Sequence, residues 1–151
     1  MIAVIFATIL SSTSLQQQGS QPSVRDSVTH VVDQLAHAGG NFVGSLALGE
    51  FDGDKTPFRV LDALFESKAD SVLLTLVDCF TDSTATRIRL RNLPITRGGL
   101  CYILLRNLVY RETDPDEHWP GNFVEHPTPR RLRAAQRAWR EAVHRHWYSP
   151  A

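Results

Sequence analysis

From Gly98 to Tyr110 the chain reads Gly-Gly-Leu-Cys-Tyr-Ile-Leu-Leu-Arg-Asn-Leu-Val-Tyr, apolar on nearly every side of a helix. A helix of that kind is stable in water only when other elements enclose it. The run therefore asks for several partners of its own length, and the rest of the sequence must supply them. With 151 residues, 42% of them hydrophobic, the chain can build one core of ordinary size and is short for two.

The partners are legible as amphipathic stretches. Ser23 can cap a helix in which Val24, Val28, Val31, Val32 and Leu35 recur at three-and-four spacing, ending at Gly39-Gly40. Asn41 to Lys55 reads as a loop with a short extended piece. Thr56-Pro57, a cap followed by proline, opens a helix with Phe58, Leu61, Leu64 and Phe65 on one face. Another helix is expected from about Ala69 to Phe80, with Val72, Leu73, Leu76, Val77 and Phe80 inward and Asp70, Thr75 and Asp78 outward. Thr86 to Leu90 alternates polar and apolar, Arg91-Asn92 offers a turn, and Leu93 to Thr96 returns, which predicts a small two-stranded hairpin with Pro94 on an edge. Glu112 to Pro127 reads as a long surface loop anchored by Trp119 and Phe123. Thr128-Pro129 then opens the last helix, which runs to about Trp147. The fold class that follows is mainly α, a small helical bundle or HEAT-like helix pairs with a short β-hairpin.

Before this domain, Met1 to Leu10 is an apolar run followed by Ser-Ser-Thr-Ser and the polar stretch Gln16 to Pro22. That order suits a secretory signal, and the run is too short to cross a hydrocarbon core of roughly 30 Å as a helix. The organisation read here is a signal peptide and linker over 1–22, with the mature protein starting between about Ser14 and Ser23, and a single α-helical domain over 23–151. The expected location is exported, periplasmic or secreted, with no membrane span. Cys79 and Cys101 can form only one bridge, which an exported compartment favours; two separate buried thiols are the other reading.

Formal charge is 0, from 16 basic and 16 acidic side chains, which argues against a surface given over wholly to nucleic acid. The balance is uneven along the chain. Met1 to Thr86 holds 4 basic residues against 10 acids, a net of −6, and Arg87 to Ala151 holds 12 against 6, a net of +6. Such a split means either a basic binding face or two halves that dock on each other.

Several of these segments carry a resemblance. Leu76-Val77-Asp78-Cys79-Phe80-Thr81-Asp82, the hairpin, Gly99-Leu100-Cys101-Tyr102 with Leu105 and Tyr110, Trp119-Pro120-Gly121, and Leu132 with Ala134-Ala135 and Ala138-Trp139 resemble a set of exported bacterial proteins of unknown function. The helix pairs are similar to HEAT-type repeats. The resemblance covers about Asp62 to Tyr148 and rests on packing patterns, so it implies fold and compartment and no activity.

Chemistry-bearing constellations are few. Gly99-Leu100-Cys101-Tyr102 at a helix start partly resembles the nucleophile region of papain-like proteases, with His118 or His126 as the base. Against it, Leu100 replaces a small residue, and Ile95 stands where the glutamine that stabilises the oxyanion belongs. Glu50, Asp52, Asp54 and Thr56 alternate around Gly53 as in a calcium loop, but Lys55 falls where the turn glycine belongs and Leu61 where the bidentate glutamate belongs. An acidic loop ahead of a helix is the plainer reading. His144 and His146 face opposite sides of a helix, no zinc spacing occurs, and neither metal nor cofactor is expected.

The last helix is the most informative surface. At 100° per residue Arg130, Arg133, Arg137, Arg140 and His144 share an arc of roughly 80°, opposite Leu132, Ala135, Trp139, Ala142 and Val143. A solvated face, a face paired to the acidic half, and a contact with an acidic protein or anionic surface all fit. The reading of function is an exported, non-enzymatic binding or structural module with a protein partner. The alternatives are a nucleic-acid or anionic-surface binder through the arginine stripe, and a thiol hydrolase using Cys101.

Overall fold

The computed structural model describes residues 20–110, 120 and 125–148. The first helix, α1, spans Val24–Ala38. Ser23 and Asp26 form a reciprocal capping box that satisfies two of its N-terminal donors. Val28, Val31, Val32, Leu35 and Ala36 are buried, and the helix stops at Gly39 and Gly40, both at positive φ.

A short strand, β1 (Gly40–Phe42), follows directly, then a single 3-10 turn over Leu48–Glu50. The second helix, α2, spans Thr56–Cys79 with one non-helical residue inside it, Lys68 at φ −142° and ψ 45°. The break at Lys68 separates two helical limbs, as read from the sequence, that follow one another without a loop. The reason is in the burial pattern. Phe58, Leu61 and Phe65 anchor the first limb and Val72, Leu73, Leu76 and Val77 the second, with no buried residue between them, so the break falls between the two buried stretches. Its N-terminal cap also differs from expectation. Lys55 holds the cap position without a side-chain cap hydrogen bond, and Asp54, one residue before it, takes the N–H of Thr56, the first helical residue, at 2.9 Å.

The hairpin forms as β2 (Ala85–Leu90) and β3 (Leu93–Thr96), joined through Arg91 and Asn92, both at positive φ. Two left-handed residues match the twist of the flanking strands. The sheet, however, has three strands in the order β1-β2-β3, because β1 lies parallel to β2 with Gly40 opposite Ile88 and Phe42 opposite Leu90. A parallel neighbour needs a long crossover, and α2 provides it. Asn41 and Asn92 exchange two hydrogen bonds, 3.1 Å and 3.3 Å, that tie β1 to the hairpin turn. Pro94 sits on the edge strand β3, as expected.

The third helix, α3, spans Arg97–Val109, and every residue from Gly98 to Leu105 is buried, with Leu108 and Val109. Its first turn lies so close to the end of α2 that a Cβ on Gly98 would stand 2.1 Å from the Phe80 carbonyl oxygen. Here glycine is required by space. Asn107, near its other end, holds the loop before α2 by accepting the Leu48 N–H at 2.8 Å and donating to the Leu46 carbonyl at 2.9 Å.

The last helix, α4, spans Pro129–His144, three residues shorter than the sequence pattern suggests. The chain then turns, with His146 at positive φ, and lays Trp147 edge-on against Trp139 at 5.7 Å between ring centroids. Tyr148 is buried beside Phe65 and donates its hydroxyl to Asp70. Helix α2 is central: it packs against α1, α3 and α4. The molecule is therefore mainly helical with a small sheet, and no helix among the described residues is long and apolar enough to cross a membrane. The proposed anchors Trp119 and Phe123, the acidic run Glu112 to Glu117, His118 and the whole N-terminal apolar run lie outside the described residues.

Candidate functional site

The two faces of α4 fall as the periodicity predicts. Leu132, Ala135, Trp139, Ala142 and Val143 are buried, Trp139 to 1% exposure, while Arg130, Arg133, Arg137, Arg140 and His144 are exposed. Gln136, at the border, donates to the Val77 carbonyl at 2.9 Å. That carbonyl belongs to the last turn of α2 and also accepts the Phe80 N–H at 3.1 Å, so α4 adds a second bond to the end of α2 as it packs on it.

The arginines are not equivalent. Arg140 donates to Asp78 at 2.9 Å, and Asp78 also lies 3.5 Å from Arg25 at the start of α1, so one carboxylate gathers cations from two helices. Arg145, beyond the helix, pairs with Glu141. Arg130, Arg133 and Arg137 have no acid partner among the described residues. Their setting makes that costly. Arginines three and four apart repel by roughly 0.2–0.5 kcal/mol per pair, and the helix begins with positive partial charge and no acid in its first turn. The Thr128 side chain makes no cap hydrogen bond either.

Docking of the acidic half on the basic half accounts for other cations. Arg97, the first residue of α3, pairs with Asp33 of α1 and with Asp82 at 3.3 Å. Partial burial works against the Asp82 charge, but the Thr84 hydroxyl and N–H and the Arg97 guanidinium outweigh it and hold the carboxyl below its usual range. His146 Nδ1 lies 3.4 Å from Asp70.

Cys79 and Cys101 stand at disulfide distance, Cα atoms 6.0 Å apart, linking the end of α2 to the start of α3. Cys101 is 0% exposed and its sulfur faces Cys79, an arrangement that presents no thiolate to a substrate. The residues of the acidic loop act as internal acceptors: Asp52 takes the Asn41 N–H at 2.6 Å, and Asp54 takes the Thr56 N–H at 2.9 Å. The Thr56 N–H, then its hydroxyl, hold the Asp54 carboxyl below its usual range. No group of three or more metal-ligating side chains occurs among the described residues. His144 and His146 do not share a helix, because α4 ends between them.

Sequence reasoning missed Asn107 and Gln136, whose inter-element partners are backbone groups more than 55 positions away and carry no local signal. Compared with protein-family models, curated proteins and solved structures, the chain matches none.

Proposed function

We propose that this chain is an exported, non-catalytic binding module that engages an acidic protein surface through the outer face of α4. The observation that carries the reading is the contrast within one helix. Its apolar face and Arg140 are fully used by the fold, whereas Arg130, Arg133 and Arg137 stand exposed on one line with no acid beside them among the described residues. Their mutual repulsion is a standing cost that a carboxylate-bearing partner would relieve. An acidic protein is favoured over nucleic acid because three exposed arginines over two turns, on a chain of net charge 0, make a short local patch and not a track along a phosphate backbone. Export is supported by the N-terminal apolar run and by the cysteine pair at disulfide distance, which suits an oxidising compartment. The HEAT-type likeness enters only through the stacking of α1 and α4 on α2, since the sheet interrupts any longer stack of helix pairs.

The test is the variant with Arg130, Arg133 and Arg137 all changed to Gln. It should elute early from an immobilised polyglutamate column that retains the native chain. Stability should stay level or rise by a few tenths of a kcal/mol, as expected for relief of surface repulsion. Unchanged retention sinks the proposal. So does a marked fall in melting temperature, which would place the arginines' partner inside the chain. Retention by heparin alone, lost in the variant, would move the reading to a polyanion binder.

A further inference from the structure

We infer that the arginine face of α4 continues into an apolar groove at the open edge of the sheet, and that the two together take an extended acidic protein segment carrying one apolar anchor residue. This rests on the binding role proposed for α4. It adds a second contact and the chemistry of the partner.

The groove has a volume of about 260 Å3 and runs between β3 and the segment entering α4, with Leu93, Pro94 and Ile95 on one side and Pro127 and Pro129 on the other. Its size suits a single branched or aromatic side chain. Leu93 is 65% exposed and Val43 57%, the two most exposed of the large hydrophobic side chains described. The topology brings them to the same end of the sheet. Phe42 and Leu90 are register partners in parallel strands, so Val43 leaves β1 where the hairpin turns and Leu93 begins the return strand. Between them stands Arg91, held by its N–H to the Phe42 carbonyl at 2.8 Å and by its Nε to the Gly44 carbonyl at 3.0 Å.

Charge marks the other end. Pro129 both lines the groove and begins α4, and Arg130 follows it directly. An apolar floor thus lies between Arg91 and Arg130. Glu125 is the acid nearest in sequence to this lining, and it faces the adjoining cleft with Arg106. A segment whose apolar residue seats on Leu93 and Pro127 would set flanking carboxylates toward Arg91 on one side and Arg130 and Arg133 on the other. Backbone pairing contributes little, because Pro94 has no N–H to offer along the edge strand. Side-chain anchoring and charge therefore define the partner, and a repeated β-ladder does not.

The experiment uses the full chain and two short synthetic peptides of Asp, Glu and Gly, one with a central Phe and one with Ala in its place, each labelled for fluorescence anisotropy. The Phe peptide should bind about tenfold more tightly than the Ala peptide, as expected for burial of one aromatic ring. Leu93→Ser, at an exposed position, should bring the Phe peptide down to the level of the Ala peptide and leave the Ala peptide unchanged. The triple arginine variant should weaken both. Equal affinity for the two peptides on the native chain would overturn the groove, and needs no variant that could misfold. If Leu93→Ser has no effect while the triple variant does, the stripe stands and the anchor site is wrong. If neither peptide binds and neither change matters, the role of α4 falls first. Self-association of the native chain that Leu93→Ser abolishes, without peptide binding, would also overturn it by assigning the groove to a second copy.

Discussion

Helices α3 and α4 are close in length, and each begins at an arginine or next to one, yet they are used in opposite ways. In α3 the fold takes up every side chain from Gly98 to Leu105, and its leading arginine, Arg97, is held by Asp33 and Asp82. In α4 one face is buried and Arg140 is paired, while the leading arginines have no acid partner among the described residues. Packing and internal pairing explain α3 from Arg97 to Leu105. They explain half of α4, and what remains unexplained by stability is where a binding role should be sought.

That contrast can be broken or sharpened by experiment. If the inner face of α4 belongs to the core as fully as α3 does, Trp139→Ala should cost roughly 3–5 kcal/mol, the range for a buried aromatic, and thermal unfolding checks it. A melting temperature within error of the native chain would make α4 a peripheral helix and erase the distinction between its faces. The link between α2 and α3 is next in size. Replacing Cys79 and Cys101 with Ser should lower stability by about 3 kcal/mol in the chain-entropy account of a bridge at this separation, read by chemical denaturation. Reduction of the native chain should reproduce it, and a thiol reagent that labels Cys101 in the folded, unreduced protein would contradict the geometry.

The smallest effect concerns the paired arginine of α3. The folded Asp82 carboxyl titrates below its ordinary value, so its contribution is complete above the unfolded pKa of about 3.9 and is lost as pH falls through the lower folded value. Asp82→Asn should therefore reduce stability near neutral pH by on the order of half a kcal/mol, with solvent screening taken into account, and the gap from the native chain should close toward pH 2. Unfolding curves over that range would show it. A gap that persists in acid would mean that Asp82 acts by shape and not by charge.

Elements with a strong period or a local turn signal were legible in the sequence. Arg91-Asn92 marked the hairpin, the unbroken apolar run marked α3, and the three-and-four spacing sorted α4 into its two faces residue by residue. What escaped is non-local. Strand β1 is three residues long, too few for a period, and becomes a strand only because β2 is there to pair with it. The two limbs of α2 were visible, and the break at Lys68 falls between their two apolar stretches; what escaped was only that no loop separates them. At the site, periodicity placed the arginines on one arc and could not say that Arg140 would meet Asp78, because that pair is made by the packing of α4 on the end of α2.

Gln136 gives α4 an attachment of a different kind. Its amide reaches the Val77 carbonyl, so this part of the seating involves no formal charge on either side. Salt strong enough to screen Arg140 from Asp78 leaves an amide–carbonyl bond and the Trp139 contact almost untouched. The helix should consequently keep its place across the ionic strengths at which its arginines lose their reach. Loss of a ligand with added salt then reports on the ligand's charges, undistorted by any loosening of the surface that presents them.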